Sequence, residues 1–153
     1  MLHATLKSIH LLAMLVWLGG MFFTLVCLRP ALGVLEPPPL RLRLMNAVLR
    51  RFFAAVSWAA GLMLASGVLM LPRGASSGVQ PVPAITAMAA LGVVMICVFV
   101  FVRLVPFRRL QAAIAEGDAP GAAAALNGIR VLVVLNLAIG VAIVLITQFL
   151  PLA

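Results

Sequence analysis

Little in this sequence carries charge of either sign, and almost nothing carries a negative one. Only 9% of its 153 residues are charged, against roughly 25% in soluble domains, which excludes an ordinary water-soluble fold. The acids are Glu36, Glu116 and Asp118 alone. All three fall in connections between apolar segments, so paired carboxylates for general acid–base work are absent. No nucleophile with a neighbouring base, Gly-rich phosphate loop or zinc spacing occurs either. Conventional hydrolytic or transfer chemistry is therefore not expected. There are two cysteines, Cys27 and Cys97, both inside apolar segments at different depths. That placement argues against a disulfide, and both read as small buried hydrophobes.

What the chain has in quantity is oil. It is 65% hydrophobic with a mean hydropathy of +1.27. Four segments, about 8–28, 53–72, 84–105 and 131–150, are long and apolar enough to cross a bilayer, which takes about 20 residues at 1.5 Å each. The expectation is one integral membrane domain over residues 1–153, an all-α, four-transmembrane-helix, up-and-down bundle. A signal peptide is not expected: the first apolar run is too long, no small-residue cleavage site follows, and the greater positive charge lies after it.

The formal charge of +8 would suit nucleic acid if the basic residues formed a soluble patch. They sit instead at the ends of the apolar segments. Arg29, Arg41, Arg43, Arg50 and Arg51 lie in the first connection; Arg103, Arg108, Arg109 and Arg130 lie around the third. Lys7 and Arg73 alone oppose them. The positive-inside rule then puts both termini and the 73–83 loop outside. In a bacterium that is an inner-membrane protein with both termini periplasmic, its partners the lipid bilayer and no nucleic acid.

The connections have their own expected structure. Pro37-Pro38-Pro39 reads as a stiff extended stop, and Leu40–Arg51 as an interfacial helix whose arginines reach the headgroups. Pro72, Gly74, Ser76, Ser77, Gly78, Pro81 and Pro83 make the outer loop irregular. Pro106 ends or bends the third helix. Gly117 closes one helix and Asp118 caps the next, with Pro120 in its first turn. Three features point to close helix packing: the stripe Ser57, Gly61, Ala65, the pair Asn136 and Gly140, and Gly19-Gly20. Asn136 is expected to be a structural polar residue that bonds across to another helix.

Against this background one imidazole stands out. His10 is the only histidine within an apolar segment, and an ionisable ring in hydrocarbon is costly to keep. His10, Met14, Trp17 and Met21 share one helix face. Met63 and Met70 are seven apart on the second span, as are Met88 and Met95 on the third. With the orientation above, Met14, Met70 and Met88 fall at roughly His10's depth, and Met21, Met63 and Met95 form a second layer near the midplane. Thioether and imidazole are soft, neutral ligands suited to Cu(I). Methionine is also a common filler of apolar cores, so the spacing leaves both readings open. Haem b on His10, with Trp17 packed against the ring, is a further alternative. His3 and His10 are seven apart on one helix and cannot grip opposite faces of one haem.

These residues resemble the small stand-alone members of the copper resistance protein D (CopD) family. The likeness lies in the opening LKSIHLLAMLVWLGGMFF followed by Leu28-Arg29-Pro30. It continues in Arg50-Arg51-Phe52-Phe53, in Pro106-Phe107-Arg108-Arg109-Leu110, and in Arg130 leading into Leu135-Asn136-Leu137. The first helix is also similar to that of HemJ-type haem-associated membrane proteins. The CopD resemblance implies copper uptake or tolerance at the inner membrane, with His10 matching the family's first-helix histidine, and a copper ion or periplasmic copper protein as partner. Relatives carry histidine at the outer start of the third span, where this chain reads Val82-Pro83-Ala84-Ile85-Thr86-Ala87-Met88. Either that ligand is lost or Met88 replaces it. The alternatives are a haem-binding redox protein and a non-catalytic accessory subunit, and each is compatible with a homo-oligomer.

Overall fold

In the computed structural model, residues 1–70 and 83–149 are described, and their regular structure is entirely helical. Helix α1, Leu2–Phe22, continues through a π-helical turn at Phe23–Leu28 into the short α2, Arg29–Ala31, and a 3₁₀ turn at Leu32–Val34. Helix α3 runs Pro38–Met70, α4 Pro83–Leu104, α5 Pro106–Glu116 and α6 Ala119–Phe149. Four segments are long and apolar enough to cross a membrane, beginning at Leu2, Pro39, Pro83 and Ala119. The irregular outer loop expected after Pro72 lies outside the described residues except for Pro83, which opens α4.

Local sequence explains the breaks. Val105 separates α4 from α5 because Pro106 has no N–H for a helical bond and its ring crowds the turn before it. Gly117 stands at φ 74°, the left-handed closure that glycine adopts without a Cβ clash. The Asp118 side chain then accepts a 2.9 Å hydrogen bond from the Gly121 N–H, capping α6. The proline run differs from expectation: Pro38 and Pro39 lie in the first turn of α3 and do not form an extended stop. Proline suits that turn, where backbone N–H groups have no partner anyway. Arg41 also differs. It donates to the carbonyls of Gly33 and Leu35 and to Glu36 at 3.1, 2.6 and 3.1 Å, tying the connection to α3 where a headgroup contact was expected.

The helices associate most extensively as α1 with α3 and α4 with α6, with α5 lying along α6. The core is aromatic towards the arginine-rich end. Trp17 meets Phe99 edge-on at 5.7 Å, Phe99 meets Phe53 at 5.9 Å, and Phe53 meets Phe107 at 4.9 Å. On α3 the buried positions Met45, Leu49, Phe53, Val56 and Ala60 recur at steps of three or four residues, one inward-facing seam of a helix. That seam corrects one expectation: Ser57, Gly61 and Ala65 lie outside it and are exposed, and nothing approaches within 4 Å of a Cβ placed at Gly61. The bulkier neighbouring stripe buries more apolar area and takes the core. Cys27 and Cys97 are free, as expected, but exposed. They face the lipid side, where an apolar thiol costs little.

Two glycines do bring helices together. The Phe52 ring of α3 fills the space that a Cβ on Gly20 would need, and Leu18 of α1 lies 3.0 Å from one on Gly140 of α6. Gly19 has nothing within 4 Å, so it serves as an internal control. We expect Gly20→Ala to destabilise the bundle by about 1–3 kcal/mol through the displaced Phe52, and Gly19→Ala to leave stability unchanged or raise it. Thermal unfolding in detergent checks both, and equal effects at the two positions would remove Phe52 from the explanation.

Candidate functional site

The site is built on the seam between α1 and α3. His10 is partly buried on α1, and its Nδ1 lies 3.1 Å from the Ser66 hydroxyl oxygen of α3. Ser66 is 2% exposed. The imidazole edge also faces Gly67, where an added Cβ would stand 3.6 Å from the ring, in ordinary contact.

The direction of this hydrogen bond fixes the chemistry of the ring. A serine hydroxyl has one hydrogen to give. The Ser66 hydroxyl lies 2.6 Å from the Leu62 carbonyl and 3.2 Å from that of Met63, so its hydrogen goes to its own helix. The oxygen then offers only lone pairs to His10. We therefore assign Nδ1–H as the donor to Ser66, which leaves Nε2 as the ring nitrogen that Ser66 does not engage. A ring nitrogen held by a hydrogen bond while the other stays available is the arrangement found behind metal-ligating histidines. Ser66 carries no signal by itself in the sequence. The Ser-Gly pair directly after Ala65, in a helix with one other serine, is the feature that could draw attention to it.

Two contacts set the antiparallel register of α1 on α3: His10 against Ser66 and Gly67, and Gly20 against Phe52. Between them, Met14 and Met63 fall on the inward side of His10. Met70 falls one turn outward. Met21 reaches the level of Phe52 and Phe53, with which it lines a common cavity. On α1 itself His10 and Met14 are about one helical turn apart, and Met14 and Met21 about two. Met14, Met70 and Met88 are partly buried and lie outside the main core cluster. Met21 and Met95 belong to that cluster, and Met63 packs against it. Met88 is carried by α4, the helix paired with α6, so it comes from the other half of the bundle.

The remaining expected residues are placed as follows. Trp17 is 2% exposed and packed edge-on against Phe99. The cavity it lines measures about 10 Å³, so the bundle interior beside Trp17 does not admit a haem. Asn136 is buried at 3% exposure as expected. The expected cross-helix bond is missing, however: its Oδ1 has no partner among the described residues. The residue borders the same cavity, which has room for about one water. No group of three or more His, Cys, Asp or Glu side chains able to hold a metal occurs among the described residues. A metal on this protein would therefore rely on His10 and thioethers.

Comparison with curated proteins and with solved structures returned no match. The family profile of copper resistance protein D matches residues 46–150, from the first third of α3 into the last span. Helix α1, with His10, lies before the matched region. That stretch covers well over half of the chain and three of its four crossing helices. The chain therefore belongs to the copper resistance protein D (CopD) family and is a multi-pass membrane protein related to copper resistance.

Proposed function

We propose that this CopD-family protein binds Cu(I) at His10 and passes it inward through methionine thioethers of α1, α3 and α4. His10 Nε2 is the entry ligand, with Met14, Met70 and Met88 as the thioethers of the outer half. Met21, Met63 and Met95 take the ion towards the midplane. The reading places the protein in the inner membrane with both termini on the periplasmic side, so that the ion is met from there.

The observation that carries this reading is the Ser66 hydroxyl, whose hydrogen is spent on Leu62 and whose lone pairs orient the imidazole. A ring nitrogen that Ser66 leaves free has little use inside hydrocarbon except to bind a cation or accept a proton. The nearest supporting groups along the seam are thioethers, which suit a soft monovalent ion. Imidazole and thioether are both neutral, so only the ion's single charge has to be accommodated. Transfer proceeds by ligand exchange, each site holding the ion weakly enough to release it.

His10→Ala is expected to abolish high-affinity Cu(I) binding in the detergent-purified protein, measured anaerobically against a chromophoric chelator. Wild-type affinity in that variant would overturn the proposal. Ser66→Ala should lower affinity about 10–100-fold, the usual effect of removing a partner that orients a ligating histidine. It should do so without loss of the folded protein, because an alanine fits in the space the serine occupies. Methionine substitutions separate a series of sites from a single cluster. Met21→Leu should leave the first binding event intact while weakening copper flux into proteoliposomes.

A further inference from the structure

At the opposite end of the bundle, α2, α3 and α6 meet around a notch lined by two arginines. Arg29 and Arg130 both line it, together with Thr24 and Leu25 of the π-helical turn, Met45 and Leu49 of α3, and a wall from α6. Arg29 is half-buried at the notch's edge and Arg130 is exposed at its mouth. Neither makes an ion pair or hydrogen bond among the described residues. The chain's three acids are all committed or remote: Glu36 pairs with Arg41, Asp118 caps α6, and Glu116 ends α5. Other arginines near membrane depth are differently placed. Arg41 has carbonyls and Glu36, and Arg103 donates to Ser57 and to the Phe53 carbonyl.

Two like charges lining one partly apolar notch repel unless an anion lies between them. We propose that Arg29 and Arg130 form a binding site for the phosphate of an anionic phospholipid. The chemistry shared by all candidate ligands is a phosphate oxyanion, which the planar fork of arginine matches. Location selects lipid over free phosphate. The arginines stand where the first span ends and the last begins, on the side carrying Arg50, Arg51, Arg108 and Arg109, and this is the depth of the headgroups. The rest of the lining is nearly all apolar, and the one hydroxyl, on Thr24, is donated to Gly20. The enclosed space is about 30 Å³, too small to engulf a headgroup. It seats the phosphate edge while the glycerol and acyl chains stay in the leaflet against Leu25 and Leu126.

The test uses the full chain, delipidated in detergent, with thermal midpoints followed by tryptophan fluorescence. Phosphatidylglycerol at saturating concentration should raise the midpoint by about 5 °C, whereas phosphatidylcholine and inorganic phosphate should not. The double variant R29Q/R130Q should lose that shift, yet without lipid it should unfold at or above the wild-type temperature, because the repulsion is gone. That reversal of sign distinguishes a lipid site from a merely structural pair of arginines. R109Q, a change to an exposed arginine on the same side, should keep the shift. The proposal is overturned if the double variant still responds, if R109Q loses the response equally, or if phosphatidylcholine or inorganic phosphate matches phosphatidylglycerol. Should the double variant fail to accumulate, R130Q alone carries the same comparison.

Discussion

Hydrocarbon offers no hydrogen-bond partners, so every polar group in these spans must be satisfied by the protein itself. The hydroxyls of the spans obey that constraint in one way. Thr24 donates to Gly20, Ser57 to Phe53, Ser66 to Leu62 and Thr147 to Val144, each to a carbonyl three or four residues earlier. A hydroxyl bonded back to its own helix is no longer a donor, but its lone pairs still point outward. On α3 those lone pairs are used twice, by His10 of α1 at Ser66 and by Arg103 of α4 at Ser57. One helix thus holds both neighbours through the same device, and in each case it dictates that the incoming group donates. For arginine that changes nothing, since it has only donors. For histidine it selects which ring nitrogen donates, which is why a structural hydrogen bond here has a chemical consequence.

The interior divides unequally along the bundle axis. Towards the arginine-rich end lie Trp17, Phe53, Phe99 and Phe107 in one chain of ring contacts, with Leu49 and Leu110 almost fully enclosed beside them. Towards the His10 end the buried positions are small: Ala13, Ala59, Ala84, Ser66 and Gly140. Aromatic packing of this kind contributes beyond its buried area, so the arginine end is the stable anchor. The other end has thinner walls of alanine and glycine, and the partly buried side chains there include His10, Met14, Met70 and Met88. Methionine has flexible torsions and a polarisable sulfur, so it can fill such a region without fixing a single arrangement.

Features that depend on a few consecutive residues are legible in the sequence alone. The four spans follow from length and hydropathy, the α4/α5 break from Pro106, and the α5/α6 turn from Gly117 and Asp118. Features that depend on which face a helix turns inward are not. Ser57, Gly61 and Ala65 look like a packing stripe, but Met45, Leu49, Phe53, Val56 and Ala60 offer more area one step round the same helix. Nothing local decides between two such stripes. His10 can be singled out because an ionisable ring in oil is conspicuous wherever it points. Ser66 cannot, because its part arises only when α1 and α3 meet in one particular register. Asn136 is the intermediate case: its burial is readable, and its unpartnered oxygen beside a water-sized cavity is not.

That register also changes what a set of methionines can mean. Depth counted along separate helices sorts six sulfurs into two layers, as if each layer surrounded one point. Antiparallel packing of α1 on α3 spreads four of them along the bundle axis instead, with Met70 beyond His10, Met14 and Met63 inward of it, and Met21 further in beside Phe52 and Phe53. A closed shell of ligands would hold an ion tightly and release it slowly. A series of weak, equally soft donors has shallow minima, and a cation can move along such a series by exchanging one thioether for the next. On the proposed reading, then, the imidazole is the single strong ligand. Its hydrogen bond to Ser66 sets how readily it takes the ion, and the sulfurs set how readily it lets go.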